Sequence, residues 1–180
     1  MTQRGTAGHY FSTRELSVIV IMASLGAVVS VPLGYLSGGL NALGVLPFGT
    51  PQLLAGVHIL WLLIAALFNR RQGSAFTTGA IKGLVETTLF SAQGIIAIPI
   101  SLLEGIILEA SLLLFGSRRV AVAVSGGLSA VGNVIVLRLL ILYALPIEVI
   151  IFMAVLAFIS GTLVSLLGLQ INSVLRRRFQ

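Results

Sequence analysis

Apolar residues gather along the chain into six long runs, at 15–36, 51–69, 73–90, 94–115, 120–144 and 147–172, with Gly, Pro and Arg concentrated in the breaks between them. Each run approaches or exceeds the ~20 residues a helix needs to cross a hydrocarbon layer. The pattern predicts an all-α membrane protein of six transmembrane helices. The first run begins beside Arg14 and Glu15, continues past signal-peptide length and has no polar stretch behind it, so it is expected to stay as helix one rather than be cleaved.

The breaks alternate in charge. Arg4 and Arg14 lie at or before the start of the first helix, Arg70 and Arg71 follow the second, Arg118 and Arg119 the fourth, and Arg176 to Arg178 the sixth, while 37–50, 91–93 and 145–146 carry no Lys or Arg. Basic connections face the cytoplasm, so both termini are expected there. Adding or dropping one helix would put arginine pairs on both sides of the membrane. The segment 37–50, SGGLNALGVLPFGT, is too short and too rich in Gly and Pro to span. Its Leu40, Leu43, Val45, Leu46 and Phe48 fit either an outer loop or a short cap over an outward-facing cavity.

Composition strengthens the membrane reading: 57% of residues are hydrophobic and 9% charged, with a mean hydropathy of +1.10, whereas a soluble domain is typically near 25% charged. Residues 1–180 therefore read as a single integral membrane domain. The net charge of +6 sits at the borders of apolar runs, which argues for a membrane surface and against nucleic acid. With no cysteine, the chain has neither disulfides nor thiolate metal sites.

Against this background the charges inside spans matter, because each is costly in lipid. The stretch GAIKGLVETTLF holds Lys82 and Glu86; Glu104 and Glu109 lie in the fourth run and Arg138 in the fifth. Counting 1.5 Å per residue sorts them by depth. An outer and central layer holds Glu86, Glu104 and Arg138, joined by Asn133, His58, Trp61 and Gln52; an inner layer holds Lys82 and Glu109. The outer set suits a small, polar, partly aromatic ligand: a carboxylate accepts from an amino-heterocycle, and an indole offers a stacking or cation-π face. Arg138 has an equal claim to neutralising a glutamate. Lys82 and Glu109 have opposite sign and are expected to form a structural or coupling ion pair between helices three and four. Lys82 and Glu86, four apart on one face, could also form a self-neutralising structural pair, although Lys before Glu is the weaker order along one helix.

Helix one carries Ala23 and Ala27 four apart, and Gly26 and Ser30 as an adjacent small pair; such spacing lets another helix approach closely or serves packing within the bundle. No G-x-S-x-G, H-E-x-x-H or Walker motif occurs, and the histidines are His58 and His9. An enzyme reading, an intramembrane protease or lipid hydrolase, would rest on Glu86 and Glu104 alone. Nothing calls for a cofactor or a resident metal.

Six spans with cytoplasmic termini and Ala-x-x-x-Ala in the first helix resemble the substrate-binding S component of an energy-coupling factor (ECF) vitamin transporter. Two stretches, PQLLAGVHILWLLIAALFNRRQGSAFTTGAIKGLVE and LLEGIILEASLLLFGS, are similar to the YkoE-type hydroxymethylpyrimidine/thiamin group. Glu104 stands where that group is expected to have Gln, and His58 where it is expected to have an aromatic residue. The resemblance implies a non-enzymatic capture subunit for a small-molecule vitamin, thiamin or its hydroxymethylpyrimidine precursor. It also implies a transmembrane coupling (T) subunit and two cytoplasmic ATPases as partners, with Ala23 and Ala27 on the surface that docks to the coupling helices.

Overall fold

The computed structural model describes residues 10–44, 49–89 and 91–179. Among them are six α-helices: α1 (Thr13–Ala42), α2 (Thr50–Asn69), α3 (Ser74–Thr88), α4 (Ala97–Phe115), α5 (Arg119–Leu140) and α6 (Ile147–Phe179). One 3₁₀ turn, Gly94–Ile96, leads into α4. In lipid every backbone polar group must be satisfied within its own segment, and a continuous helix does this for apolar runs such as these.

Local chemistry sets the ends. Ser12 caps α1 in a capping box: the Ser12 amide donates to Glu15 Oε2 at 2.7 Å, and the Glu15 amide donates to Ser12 Oγ at 3.3 Å. Pro51 occupies the first turn of α2, where its missing N–H is no loss. α2 stops at Arg70, whose φ of 51° is left-handed, and its amide closes on the Ala66 carbonyl at 2.9 Å.

Two expected boundaries move. α1 runs on through 37–42, so the segment read as a loop or cap is helical over its first six residues; Val45, Leu46 and Phe48 lie outside the described residues. α6 extends to Phe179, seven residues past its expected end. Among the described residues, five stretches are long and apolar enough to cross a membrane: α1, α2, Gly94–Phe115, α5 and Ile147–Arg177. α3, at 15 residues, is about 22 Å long. Its charged face, with Lys82 and Glu86, is buried against its neighbours, while Phe76 and Leu84 stay exposed on the other side.

α2 is the axis of the bundle. It contacts every other helix, while the rest form an arc in the order α1, α3, α4, α5, α6, each touching the next. Ala55, Ile59, Leu62, Leu63 and Leu67 of α2 supply much of the apolar core, against Leu108, Val122, Val134, Met153 and Ala157 from the arc. The basic connections meet at one end: Arg71 pairs with Glu15 at 3.3 Å, and Arg176 Nη2 donates to the Leu67 and Phe68 carbonyls at 2.6 and 3.1 Å.

Candidate functional site

The α3–α4 seam is built on glycine. A Cβ at Gly79 would strike the Ser101 carbonyl oxygen, one at Gly83 would lie 2.9 Å from the Ile98 Cα, and one at Gly105 would lie 2.9 Å from the Ala75 carbonyl oxygen. Gly79-x-x-x-Gly83 is a small-residue motif inside GAIKGLVE, and its spacing is the sequence signal for this close approach. Pressed against α4 by these glycines, the charged face of α3 is enclosed.

Lys82 Nζ donates to Glu86 Oε2 at 2.7 Å and to Ser101 Oγ on α4 at 3.1 Å, with both charged side chains 1% exposed. Ser101 had no role in the sequence reading; it becomes visible only once α4 is rotated against α3. Glu104 is fully buried one turn along α4. Its Oε1 accepts from Asn133 Nδ2 of α5 at 3.5 Å, and its backbone carbonyl accepts from Ser129 Oγ at 2.7 Å. The Lys82 charge acts on both Glu104 and His58, and that of Glu86 acts on Glu104. Lys82, Glu86, Ser101, Glu104 and Asn133 thus form one buried cluster, with His58 at its edge.

The expected Lys82–Glu109 bridge does not form. Lys82 turns along its own helix to Glu86, four residues and one turn away, and Glu109 Oε2 instead accepts from the Ala75 amide at 2.9 Å. An unsatisfied amide in the first turn of α3 is a natural partner for a carboxylate, because the helix dipole is positive there. Arg138 meets no carboxylate either. Its Nη1 donates to the carbonyls of Leu142, Tyr143 and Leu145, fastening the turn between α5 and α6.

Other predicted residues lie outside the hydrogen-bonded cluster. Ser30 Oγ donates to the Gly26 carbonyl at 2.8 Å and lies 2.9 Å from His58 Nδ1. With the single Ser30 proton committed to Gly26, the geometry assigns Nδ1–H as donor to Ser30 and leaves Nε2 as an acceptor. Trp61 is half-buried with its side chain against Gly26 of α1. Gln52, 1% exposed, makes no hydrogen bond through its amide, nor does the Trp61 indole N–H.

Ala23 and Ala27 are both fully buried in the isolated chain. With Ile19, Gly26 and Ser30 they make the inward stripe of α1, which packs on α2 and α3. In the isolated chain these two alanines face inward, and their small side chains bring α1 close to its own bundle.

Buried acceptors without partners mark the site. Glu86 Oε1, Glu104 Oε2 and Asn133 Oδ1 all lack hydrogen bonds, and an orphaned buried polar atom costs about 1–3 kcal/mol, more when charged. Two clefts open at the basic end, of about 480 and 240 Å³. None of the residues predicted to bind substrate lines either one. The unmet carboxylate oxygens of Glu86 and Glu104 lie in the buried cluster instead, and we place the candidate site there on chemical grounds.

This arrangement, a polar cluster enclosed by a helical bundle, is that of a multi-pass cell-membrane protein of the S-component fold. The chain is similar to a solved structure described as an S-component of ECF transporter, with a TM-score of 0.82 and 24% identity, over 92% of this chain and 85% of that one. A family model described as ABC-type cobalt transport system, permease component, matches residues 14–136, well over half of the chain. The chain belongs to that family. No curated protein sequence matches it.

Proposed function

We propose that the chain is the substrate-capture subunit of an ECF-type ABC importer and that its ligand is thiamin or the hydroxymethylpyrimidine precursor. The observation that carries this reading is the set of orphaned acceptors, Glu86 Oε1, Glu104 Oε2 and Asn133 Oδ1, on three adjacent helices. Acceptors without partners call for a ligand rich in donors. An aminopyrimidine, with an exocyclic amine able to donate to a carboxylate, meets that demand, and a charge-assisted bond of this kind contributes about 1.5–3 kcal/mol.

The cluster is closed to solvent, so ligand entry requires the helices around it to part. Under the positive-inside rule the arginine-rich end faces the cytoplasm, and the cluster is then loaded from the outer side. Transport would follow docking on a transmembrane coupling subunit driven by two cytoplasmic ATPases. The family description gives a second reading, a cobalt ion as cargo. The donors weigh against it: among the described residues no group of three His, Asp or Glu side chains is placed to hold a metal ion, and the Lys82 ammonium repels a divalent cation. An enzyme built on Glu86 and Glu104 fits less well, since Glu86 is engaged with Lys82.

Calorimetry on the purified chain with thiamin, hydroxymethylpyrimidine and Co²⁺ tests the reading. Saturable binding of either organic ligand, weakened at least tenfold in Glu104→Gln, is expected. Saturable Co²⁺ binding with no response to the organic ligands would overturn it.

A further inference from the structure

The larger cleft at the basic end takes no part in the proposed capture of substrate. It encloses about 480 Å³ between the C-terminal turn of α2, the α2–α3 connection, the end of α4 and the distal part of α6, with Arg70, Arg71, Glu109, Leu113, Leu169 and Asn172 among its walls. Arg70 is the one non-glycine residue with positive φ among the described residues. A long side chain on a left-handed backbone is disfavoured. No hydrogen bond or ion pair within the described residues compensates its charge.

The surroundings of Arg70 leave a positive excess. Arg71 reaches Glu15 at 3.3 Å but keeps 47% of its side chain exposed. Glu109 is committed to the Ala75 amide, and Arg176 is close enough to experience the Arg70 charge. The buried Oδ1 of Asn172 has no hydrogen-bond partner. On the side away from the core, Leu113 and its neighbour Leu114 are exposed on α4, where a bundle in a bilayer meets acyl chains. Arginines above exposed leucines place the cleft at the level of lipid headgroups.

We propose that this cleft binds the headgroup of an anionic phospholipid, with Arg70 and Arg71 holding the phosphate, Asn172 Oδ1 accepting from a headgroup hydroxyl, and an acyl chain lying along Leu113. The strained Arg70 backbone is then offset by a contact made only with lipid. A soluble anion would use the arginines but not the leucine wall.

Thermal melting and native mass spectrometry of the delipidated full-length protein, titrated with phosphatidylglycerol, phosphatidylcholine and inorganic phosphate, test the assignment without reference to the transported ligand. Phosphatidylglycerol should raise the melting temperature saturably; phosphatidylcholine and inorganic phosphate should not. Arg70→Gly, which relaxes the left-handed backbone, should melt no lower than the parent without lipid yet bind phosphatidylglycerol about fivefold more weakly. Arg71→Gln should weaken binding in the same direction. Equal stabilisation by phosphatidylcholine, reproduction of the shift by phosphate alone, or parental phosphatidylglycerol affinity in both variants would each overturn it.

Discussion

The α3–α4 and α5–α6 seams are both made by small residues, yet they hold different chemistry. At α5–α6, a Cβ on Gly161 would strike the Gly126 carbonyl, and one on Gly126 would meet Ser165. The polar groups there are hydroxyls, Thr162 and Ser165, each without a partner. A neutral hydroxyl costs far less to bury than a charge, even where it lacks a partner. At α3–α4 the same close approach encloses Lys82, Glu86 and Glu104. A purely structural seam gains little from such charges, since buried ion pairs are often no more stable than apolar replacements. Two seams with one packing principle therefore separate architecture from function.

The sharpest way to break this contrast is Lys82→Met. It should destabilise the protein by about 3–5 kcal/mol, because Glu86 is left as a buried, uncompensated charge. Adding Glu86→Gln should restore most of the stability but not ligand affinity; thermal melting and calorimetry on the pair read the two effects separately. Next come Gly79→Leu and Gly161→Leu. Each should cost about 3 kcal/mol by overpacking, seen as lost folding yield, and equal losses at the two seams would show that glycine does the same job in both.

Ala27→Trp tests the inward face of α1. It should lower the melting temperature of the isolated chain by the equivalent of about 1–3 kcal/mol. An unchanged melting temperature with lost binding of the coupling subunit would instead support the docking role. Glu104→Gln sharpens the contrast from the other side: thiamin or hydroxymethylpyrimidine affinity should fall by about 1.5 kcal/mol or more, while the melting temperature holds or rises, because a neutral amide is cheaper to bury than a carboxylate. The smallest effect is expected for Ser165→Ala at the neutral seam. Stability should stay within about 0.5 kcal/mol, with ligand affinity unchanged.

Much of the fold was legible in the sequence. Six apolar runs became six helices, although α3 shortened and α1 ran on into the segment expected to be a loop, since Ser37 to Ala42 can continue a helical ladder whose glycines break it only weakly. The site was legible as a set of residue types and less so as a set of partners. Glu86, Glu104, Asn133 and His58 were marked by their cost in lipid, and four of the five intramembrane charges found electrostatic or hydrogen-bonding roles inside the bundle. Ser101 carried no such cost and was overlooked. Arg138 was assigned to the ligand because depth counting fixes height along a helix but not the direction in which a long side chain turns; three carbonyls of the following turn were nearer.

The sequence by itself determined that the chain lives in a bilayer, how many helices it forms, and at which end its arginines collect. These follow from hydropathy and charge, properties of each segment that need no knowledge of its neighbours. Only the tertiary structure decided which charges meet. Lys82 could reach Glu86 along its own helix or Glu109 across a seam, and the choice depended on the rotation and stagger of α3 against α4, set by the close contacts of Gly79, Gly83 and Gly105. The same contacts turned Glu109 to the start of α3 and left Glu86 and Glu104 each with an unpartnered oxygen. Rotation about a helix axis is invisible to a hydropathy profile, because it is fixed by steric fit between two surfaces that lie far apart in the chain.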